Sequence, residues 1–550
     1  MRVGLNTASL SDGLTSLSHV AAAFQEALSE RHDLVLLPAD YYNVSQAERA
    51  AMAYRLVESC DVIVSQPDPN LLDARMQLSS PVPLCMLLLG SLPRGFFALR
   101  PLIDTVRASD VMVANCTADV AIAENMFENA CVRLLPFGYR ERTFYPPTEE
   151  ETAAMRARLR IPPAAPLVLY AGRATVEKNI HTVLKVFAQV HAAVPEAHLV
   201  LAGKVDDVPF AEFGVFPLHL KTSLHRMISR LGLAGRVHQA GGLGADDLRA
   251  LYGAADVAVN FTLHHDENFG LGPVEAMACG TPVVGTRWGG LQDTIAHGEA
   301  GFQVSTVMSA NGVKSSWWEA ANRIVQLLRD PELRAAFGER GRRIARERYS
   351  AARHARLLDR IVDETVRRAR SPSGPLRETE FTREFWATCA PHTGKLPPAR
   401  RSPAAYELYR RLLAPYTGTA PGAIAPEAPL SPDQVVVLAN AVSCNEDGSV
   451  AVNDPQFPFD VDVPAEAMGA VRAQIGRLLA EPVTTAGALV DGVDAPCARQ
   501  ALGWMLKAGL VMRAAPELDA IPPALAHRPG STPLLSIRRV EHPADIIYVA

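Results

Sequence analysis

Two glutamates with seven residues between them, Glu267 and Glu275, bracket the stretch NFGLGPV. Gly270 and Gly272 let the backbone come close to a ligand, and Pro273 sits where a first helical residue is favoured, so a helix N-terminus is expected to point out of this loop. Free N–H groups at the positive end of a helix dipole favour a diphosphate. Glu275, one turn into that helix, has the chemistry to accept hydrogen bonds from ribose hydroxyls, and Glu267 from the hydroxyls of a sugar. A solvated loop carboxylate and an ordinary helix residue would account for either Glu alone. A Gly-x-Gly turn between the two, after an apolar strand, makes that the weaker account. A second group stands earlier, in LVLYAGRATVEKN (residues 167–179): a buried strand, a glycine, Arg173 in the loop and Lys178 where the next helix begins. The chain has seven Lys among its 54 basic residues, and Lys178 is the first of them. Two cations at a strand's carboxyl end lie where open α/β sheets bind ligands, and they suit a leaving diphosphate. The alternative is a pair of surface charges, but a Lys at a helix start opposes the dipole, which a bound anion would explain.

Positioning these groups requires α/β elements. Apolar runs at 34–37, 61–65, 84–89, 111–114 and 132–137, after an opening strand at the N-terminus, alternate with helical patterns such as 46–60 and 119–127. A second series follows the Pro146-Pro147 break, with strands expected at 167–171, 198–202, 237–239, 256–260 and 282–285. Strands apolar throughout are what a parallel sheet covered on both faces requires. The pattern predicts two tandem Rossmann-like doubly wound domains, 1–148 and 149–350, with a cleft between them. Long helical patterns run from 316 to 349 and from 351 to 369. Residues 371–430 hold ten Pro and read as a connector. Its aromatic clusters FTREFW and AAYELYRRLL would be costly to leave in water, so parts of it are expected to dock. The last module, 431–550, is predicted to contain the apolar run VVVLANAV, a helix at 465–479, then helix, turn, helix and a strand after Gly509.

Composition bounds the function. The chain has 550 residues, too many for one core, with 48% hydrophobic and 21% charged residues, the proportions of a globular protein. Its net charge of -5 gives no field for nucleic acid. No apolar run approaches the ~20 residues of a membrane span, and no export signal is visible, so a cytoplasmic protein without a transmembrane segment is expected. Eight Cys stand singly, without ligand spacing. The run His264, His265, Asp266 and Glu267 suggests a metal, but adjacent side chains of an extended loop point different ways, so no metal site is expected. A dinucleotide oxidoreductase is set aside because the first strand leads into LNTASLSDG rather than GxGxxG, and no GxxxxGK[ST] loop occurs.

Taken together, ENFGLGPVE, AGR...EKN, LPFGYRERTFYPP and RWGGLQDTI...GEAGF resemble the retaining, nucleotide-sugar-dependent glycosyltransferases of family 4, which have the two-domain GT-B architecture. The resemblance covers about residues 1–370. It implies that Arg173 and Lys178 hold the diphosphate, Glu275 the ribose and Glu267 the transferred sugar. It gives the amides of Asn268, Phe269, Gly270 and Leu271 to the sugar and phosphate, and brings Gly13 to the donor from the other domain. Arg173, Lys178 and Glu267 are the expected catalytic residues, with no cofactor or metal beyond the nucleoside diphosphate sugar itself. The helix at 351–370 would cross back to the first domain. Two departures stand out. LLLGSLPRG replaces the segment where many members carry a His, which bears on acceptor positioning, and Asp293 stands for the familiar Glu after the GG pair.

The last module resembles a winged helix, giving a fold class of α/β with an appended α+β winged-helix-like domain. Residues 431–515 carry five basic and ten acidic side chains, which disfavours phosphate contacts and nucleic acid. Protein binding, a homodimer contact or simple packing on the core suit it better. The expected function is transfer of a sugar to an acceptor hydroxyl, with the acceptor unknown and a peptide or protein recruited by the module as one candidate. The alternative is a non-catalytic nucleotide-sugar sensor or scaffold.

Overall fold

The computed structural model describes residues 1–8, 15–90, 100–175, 178–205, 220–264, 267–309, 312–371, 373–389, 408 and 410–418 and, between 432 and 513, the elements named below. Gly13, His265, Asp266 and residues 91–95 of LLLGSLPRG (87–95) lie outside the described residues, and so do the expectations placed on them.

Strands β1 (Arg2–Asn6), β2 (Asp33–Leu36), β3 (Val62–Ser65), β4 (Leu84–Leu88), β5 (Val111–Ala114) and β6 (Cys131–Leu134) form one sheet in the order β2-β1-β3-β4-β5-β6, every pair parallel. The three central ones, β3, β4 and β5, are buried at every residue, which is why they read as unbroken apolar runs. The run expected at 132–137 is hydrogen-bonded as a strand only to Leu134. Leu135 still donates to the carbonyl of Ala114 (2.8 Å) before Pro136, which has no N–H to give, ends the pairing.

The second sheet contains β7 (Leu167–Ala171), β8 (His198–Ala202), β9 (Val237–Gly241), β10 (Val257–Asn260), β11 (Val283–Thr286) and β12 (Gly301–Val304), in the order β12-β11-β10-β7-β8-β9, again all parallel. The short β12, GFQV, has too few residues to stand out from a loop in the sequence. The order reverses between β7 and β10. In an open parallel sheet such a reversal leaves a crevice at the carboxyl ends of the two strands, because their connections leave to opposite faces. Both candidate loops start from this crevice.

The helical stretch expected at 316–349 is two helices, Trp317–Arg329 and Pro331–Tyr349. Pro331 cannot continue a helix but suits the first position of one, and the Asp330 side chain caps the new start by accepting from the N–H of Leu333 (2.8 Å). The helix Ala351–Ala369 then lies against the first unit. Asp359 takes Arg31 (2.5 Å) and His32 (3.0 Å), Glu364 takes Arg133 (2.9 Å), and His354 sits edge-on to Phe24 with its Nδ1 on the carbonyl of Pro136 (2.9 Å).

The connector also packs inward. Phe385 and Trp386 on the helix Glu380–Cys389, then Leu408, Leu412, Leu413 and Tyr416, are buried in one cluster with Ile103, Met126 and Phe127 of the first unit and Trp288 of the second. In the last module the strand Val435–Leu438 lies between the strands Val483–Thr485 and Val511–Arg513, antiparallel to both, beside the helices Met468–Ala480, Ala486–Val490 and Ala495–Lys507. A separate antiparallel meander of three strands, Val442–Cys444, Val450–Asn453 and Pro458–Val461, was not foreseen. Among the described residues no helix is long and apolar enough to cross a membrane.

The tips of β7 and β8 touch at two glycines. A Cβ on Gly203 (φ +148°) would lie 1.8 Å from the carbonyl oxygen of Gly172, immediately before Arg173. Gly203→Ala is therefore expected to cost about 2–5 kcal/mol through overpacking and backbone strain, measured by urea denaturation. A loss under about 0.5 kcal/mol would show that the tips can separate freely.

Candidate functional site

The crevice is held together by one residue that carries no candidate chemistry. Asn179 adopts the left-handed conformation (φ +57°, ψ +36°), which Asn tolerates better than most residues, and it starts the helix Ile180–Ala193. Its side-chain amide donates to the carbonyl of Phe261 (3.0 Å), just past β10, and its side-chain oxygen accepts from Thr182 (2.8 Å). The loop after β7 is thus tied across the reversal point to the loop after β10. The tie sets Lys178 opposite Glu267, and the ammonium donates to Glu267 Oε2 at 2.7 Å. Neither side chain is sealed off, with 23% and 11% of their surfaces exposed, so an incoming anion can reach the cation. Arg173 is half-buried on the same β7 loop, its carbonyl accepting from the Tyr170 hydroxyl (2.7 Å).

Beyond Glu267 the chain turns into the helix Leu271–Cys279. Gly270, left-handed at φ +89°, is its N-cap and no side chain caps it. The helix starts at Leu271, so Pro273 is its third residue rather than its first. A first turn that includes Pro keeps the N–H groups of Leu271 and Gly272 as donors. Asn268 donates to Asn115 Oδ1 (3.2 Å) at the end of β5, and Asn115 in turn donates to the carbonyl of Leu135 (2.9 Å). The Phe269 ring packs edge-on between Phe137 of the first unit (5.2 Å) and Tyr349 (5.6 Å). Residues offered for the donor by their backbone therefore also use their side chains to join the two units.

Glu275 pairs with Arg140 of the first unit (3.4 Å), which lies over the Phe144 ring (4.8 Å) and donates to Nε2 of His19 (2.9 Å). Burial pushes the Glu275 carboxyl up to about 7, against the pull of the Arg140 charge and hydrogen bond. Burial, and then the Arg140 charge, hold His19 below its usual range. Asp293 accepts from the N–H and the hydroxyl of Thr117, both at 2.7 Å, at the start of the helix Thr117–Met126. Burial raises its carboxyl while the two Thr117 hydrogen bonds lower it.

Sequence reasoning missed Arg140, Asn115 and Asn179 as individual residues. Arg140 lies in the LPFGYRERTFYPP segment and Asn179 ends AGR...EKN, so both stood in stretches already singled out. Asn115 had no local signal, because its partner is 153 residues away. Among the described residues no three His, Cys, Asp or Glu gather as a metal set.

Residues 151–344 match the model of the family described as "Glycosyl transferases group 1". The chain is 30% identical over 236 residues to a D-inositol 3-phosphate glycosyltransferase of Corynebacterium urealyticum, covering 42% of this chain and 51% of that protein. It is 33% identical over 190 residues to the N-acetyl-alpha-D-glucosaminyl L-malate synthase of Bacillus anthracis, 34% of this chain and 43% of that one. The chain thus spans about half the length of the curated relatives it matches. Among solved structures, Anabaena Alr3699/HepE in complex with UDP aligns with a TM-score of 0.51 at 20% identity over 66% of this chain and 99% of that one. The match to that family model falls within the second unit, and the two parallel sheets share the fold of that solved structure, a frame of the GT-B type.

The Glu275 shift has a consequence for stability. A carboxyl at about 7 in the fold against 4.5 when exposed is bound to its proton more tightly when folded, so its contribution is complete below pH 4.5 and is lost as pH rises to about 7. Buried Glu319, also pushed up to about 7, acts in the same window. Glu275→Gln is expected to remove part of this fall, so the Tm difference between variant and parent grows from pH 5 to pH 8. A difference constant with pH would count against the shift.

Proposed function

We propose that the chain is a cytoplasmic, retaining glycosyltransferase of family 4 that moves a hexosyl group from a nucleoside diphosphate sugar to an acceptor hydroxyl. The observation that carries this reading is the Lys178–Glu267 pair at 2.7 Å, at the reversal point of β7 and β10 and beside an uncapped helix start. A cation and an anion at that distance satisfy each other until a ligand brings both a negative and a hydroxylic part. A nucleoside diphosphate sugar has both. Its diphosphate would take Lys178, Arg173 and the amides of Gly270 and Leu271, leaving Glu267 to accept from the sugar hydroxyls and Glu275 from the ribose. The acceptor oxygen bonds to the anomeric carbon on the face that the diphosphate leaves. The bond from that carbon to the β-phosphate oxygen breaks, and the acceptor proton passes to a β-phosphate oxygen, giving the nucleoside diphosphate. Fixed cations lower the barrier because they meet charge that grows on the leaving group.

The last module supports a winged-helix-like reading. Helix, strand, two helices and strand follow one another from Met468 to Arg513, and the earlier strand Val435–Leu438 completes the sheet. Its proposed role is to recruit the acceptor. Removing residues 431–550 should then lower transfer to the native acceptor more than transfer to a small mimic, and equal loss on both would exclude recruitment.

Thermal shift with UDP, GDP, ADP and TDP sugars identifies the donor, since a ligand present at 100 times its Kd stabilises by about 2.7 kcal/mol. Lys178→Ala or Glu267→Ala should then lower kcat by about 100-fold or more. If no member of the panel raises the Tm, the donor site is wrongly assigned; stabilisation without any turnover favours the sensor or scaffold.

A further inference from the structure

The connector ends its described course inside the frame of the site. Tyr416, fully buried on the short helical turn Ala414–Thr417, has contacts with both units. Its hydroxyl donates to Asp119 Oδ1 at 2.7 Å, on the first unit's helix Thr117–Met126. Its carbonyl accepts from the N–H of Gly289 (3.0 Å) and from the side-chain amide of Gln292 (2.9 Å), both of the second unit. Its ring packs on Trp288 with centroids 5.2 Å apart.

The Trp288-Gly289-Gly290 turn is also what supports the Glu267 loop. Trp288 Nε1 donates to the carbonyl of His264 (2.8 Å), and the N–H of Gly290 donates to the carbonyl of Glu267 (2.9 Å), so both ends of the 264–267 segment rest on this turn. Gly289 between them is packed on both sides: a Cβ there would lie 2.5 Å from the Glu267 carbonyl oxygen and 2.7 Å from the Tyr416 ring. The sequence of contacts runs Glu267 backbone, Trp288-Gly289-Gly290, Tyr416, Asp119, with no long flexible side chain in it.

We infer that Tyr416 is a positioning residue for the transfer proposed above, on which the inference rests: it holds the Glu267 loop at a fixed place relative to the first unit, from a segment outside both α/β domains. Tyr416→Phe is the discriminating variant. It keeps the ring on Trp288 and the backbone bonds to Gly289, and removes only the hydroxyl that reaches Asp119.

Amide hydrogen exchange on the full chain reads the loop directly. In Tyr416→Phe, residues 264–270 and 288–292 should exchange about tenfold faster, the effect of losing one hydrogen bond to a charged group, while β7 and β8 keep their protection. The second readout is donor hydrolysis, using whichever of UDP-, GDP-, ADP- and TDP-glucose stabilises the parent protein. Its kcat should fall about tenfold in Tyr416→Phe and about 100-fold in Tyr416→Ala, with KM for the donor within about twofold. Exchange unchanged at 264–270 in Tyr416→Phe overturns the inference, as does unchanged kcat in a variant whose loop exchanges faster. Should the parent turn over no nucleotide sugar, the function proposed above fails, and the exchange measurement still decides whether Tyr416 holds the loop.

Discussion

A parallel sheet whose strand order reverses must leave two neighbouring loops without a covering connection, and here those loops follow β7 and β10. Their backbones would be free to part, but the Asn179 amide on the Phe261 carbonyl closes them at 3.0 Å. Everything at the candidate site follows from that closure. Lys178 precedes Asn179 and is therefore fixed opposite the second loop, and Glu267 has a partner only because the two loops are joined. A largely buried ion pair loses to desolvation much of what its attraction supplies, so a pair kept at 2.7 Å by its backbone is better understood through what it presents to a ligand than through what it adds to the fold.

The same economy recurs where the two units meet. Asn115 with Asn268, Thr117 with Asp293 and Arg140 with Glu275 are polar contacts between the units, with Phe137, Phe269 and Tyr349 as the apolar part of the seam. Apart from Tyr349, at the end of the helix Pro331–Tyr349, each second-unit member of this seam belongs to the loop and helix that carry Glu267 and Glu275, or to the Asp293 turn beside them. Relative movement of the units would consequently be felt first at the candidate residues. The short Asp293 side chain closes its contact with the start of a first-unit helix, which gives the Asp at this position a physical setting.

Strands β7 and β8 were legible residue for residue, because a strand buried on both faces is a compact apolar run ended by glycine. The helix 351–369 was equally legible through its spacing, and in the structure Ser350 caps it by accepting from the N–H of Arg353. Lys178 stood out because a Lys at a helix start opposes the dipole, and Glu267 and Glu275 because they bracket a Gly-x-Gly turn after a strand. Local pattern has no access to partners far away in the chain, so Asn115, Arg140 and Tyr416 gave no sign of their contacts. The long helical pattern through 330 misled because its amphipathic spacing continues across a proline, and only the Asp330 cap shows that two helices meet there.

The connector's anchoring also bears on how the chain is made. Asp119 and Tyr416 are 297 residues apart, yet Leu376, Phe385, Trp386, Leu412 and Tyr416 complete an apolar cluster begun by residues of the first unit. At a synthesis rate of about 5–20 residues per second, that part of the first unit's surface waits roughly 15–60 s on the ribosome before its cover exists. The first unit, although made before the second unit and the connector, is finished only after both, and during that interval the nascent chain presents to the cell an apolar face that a holding chaperone would recognise.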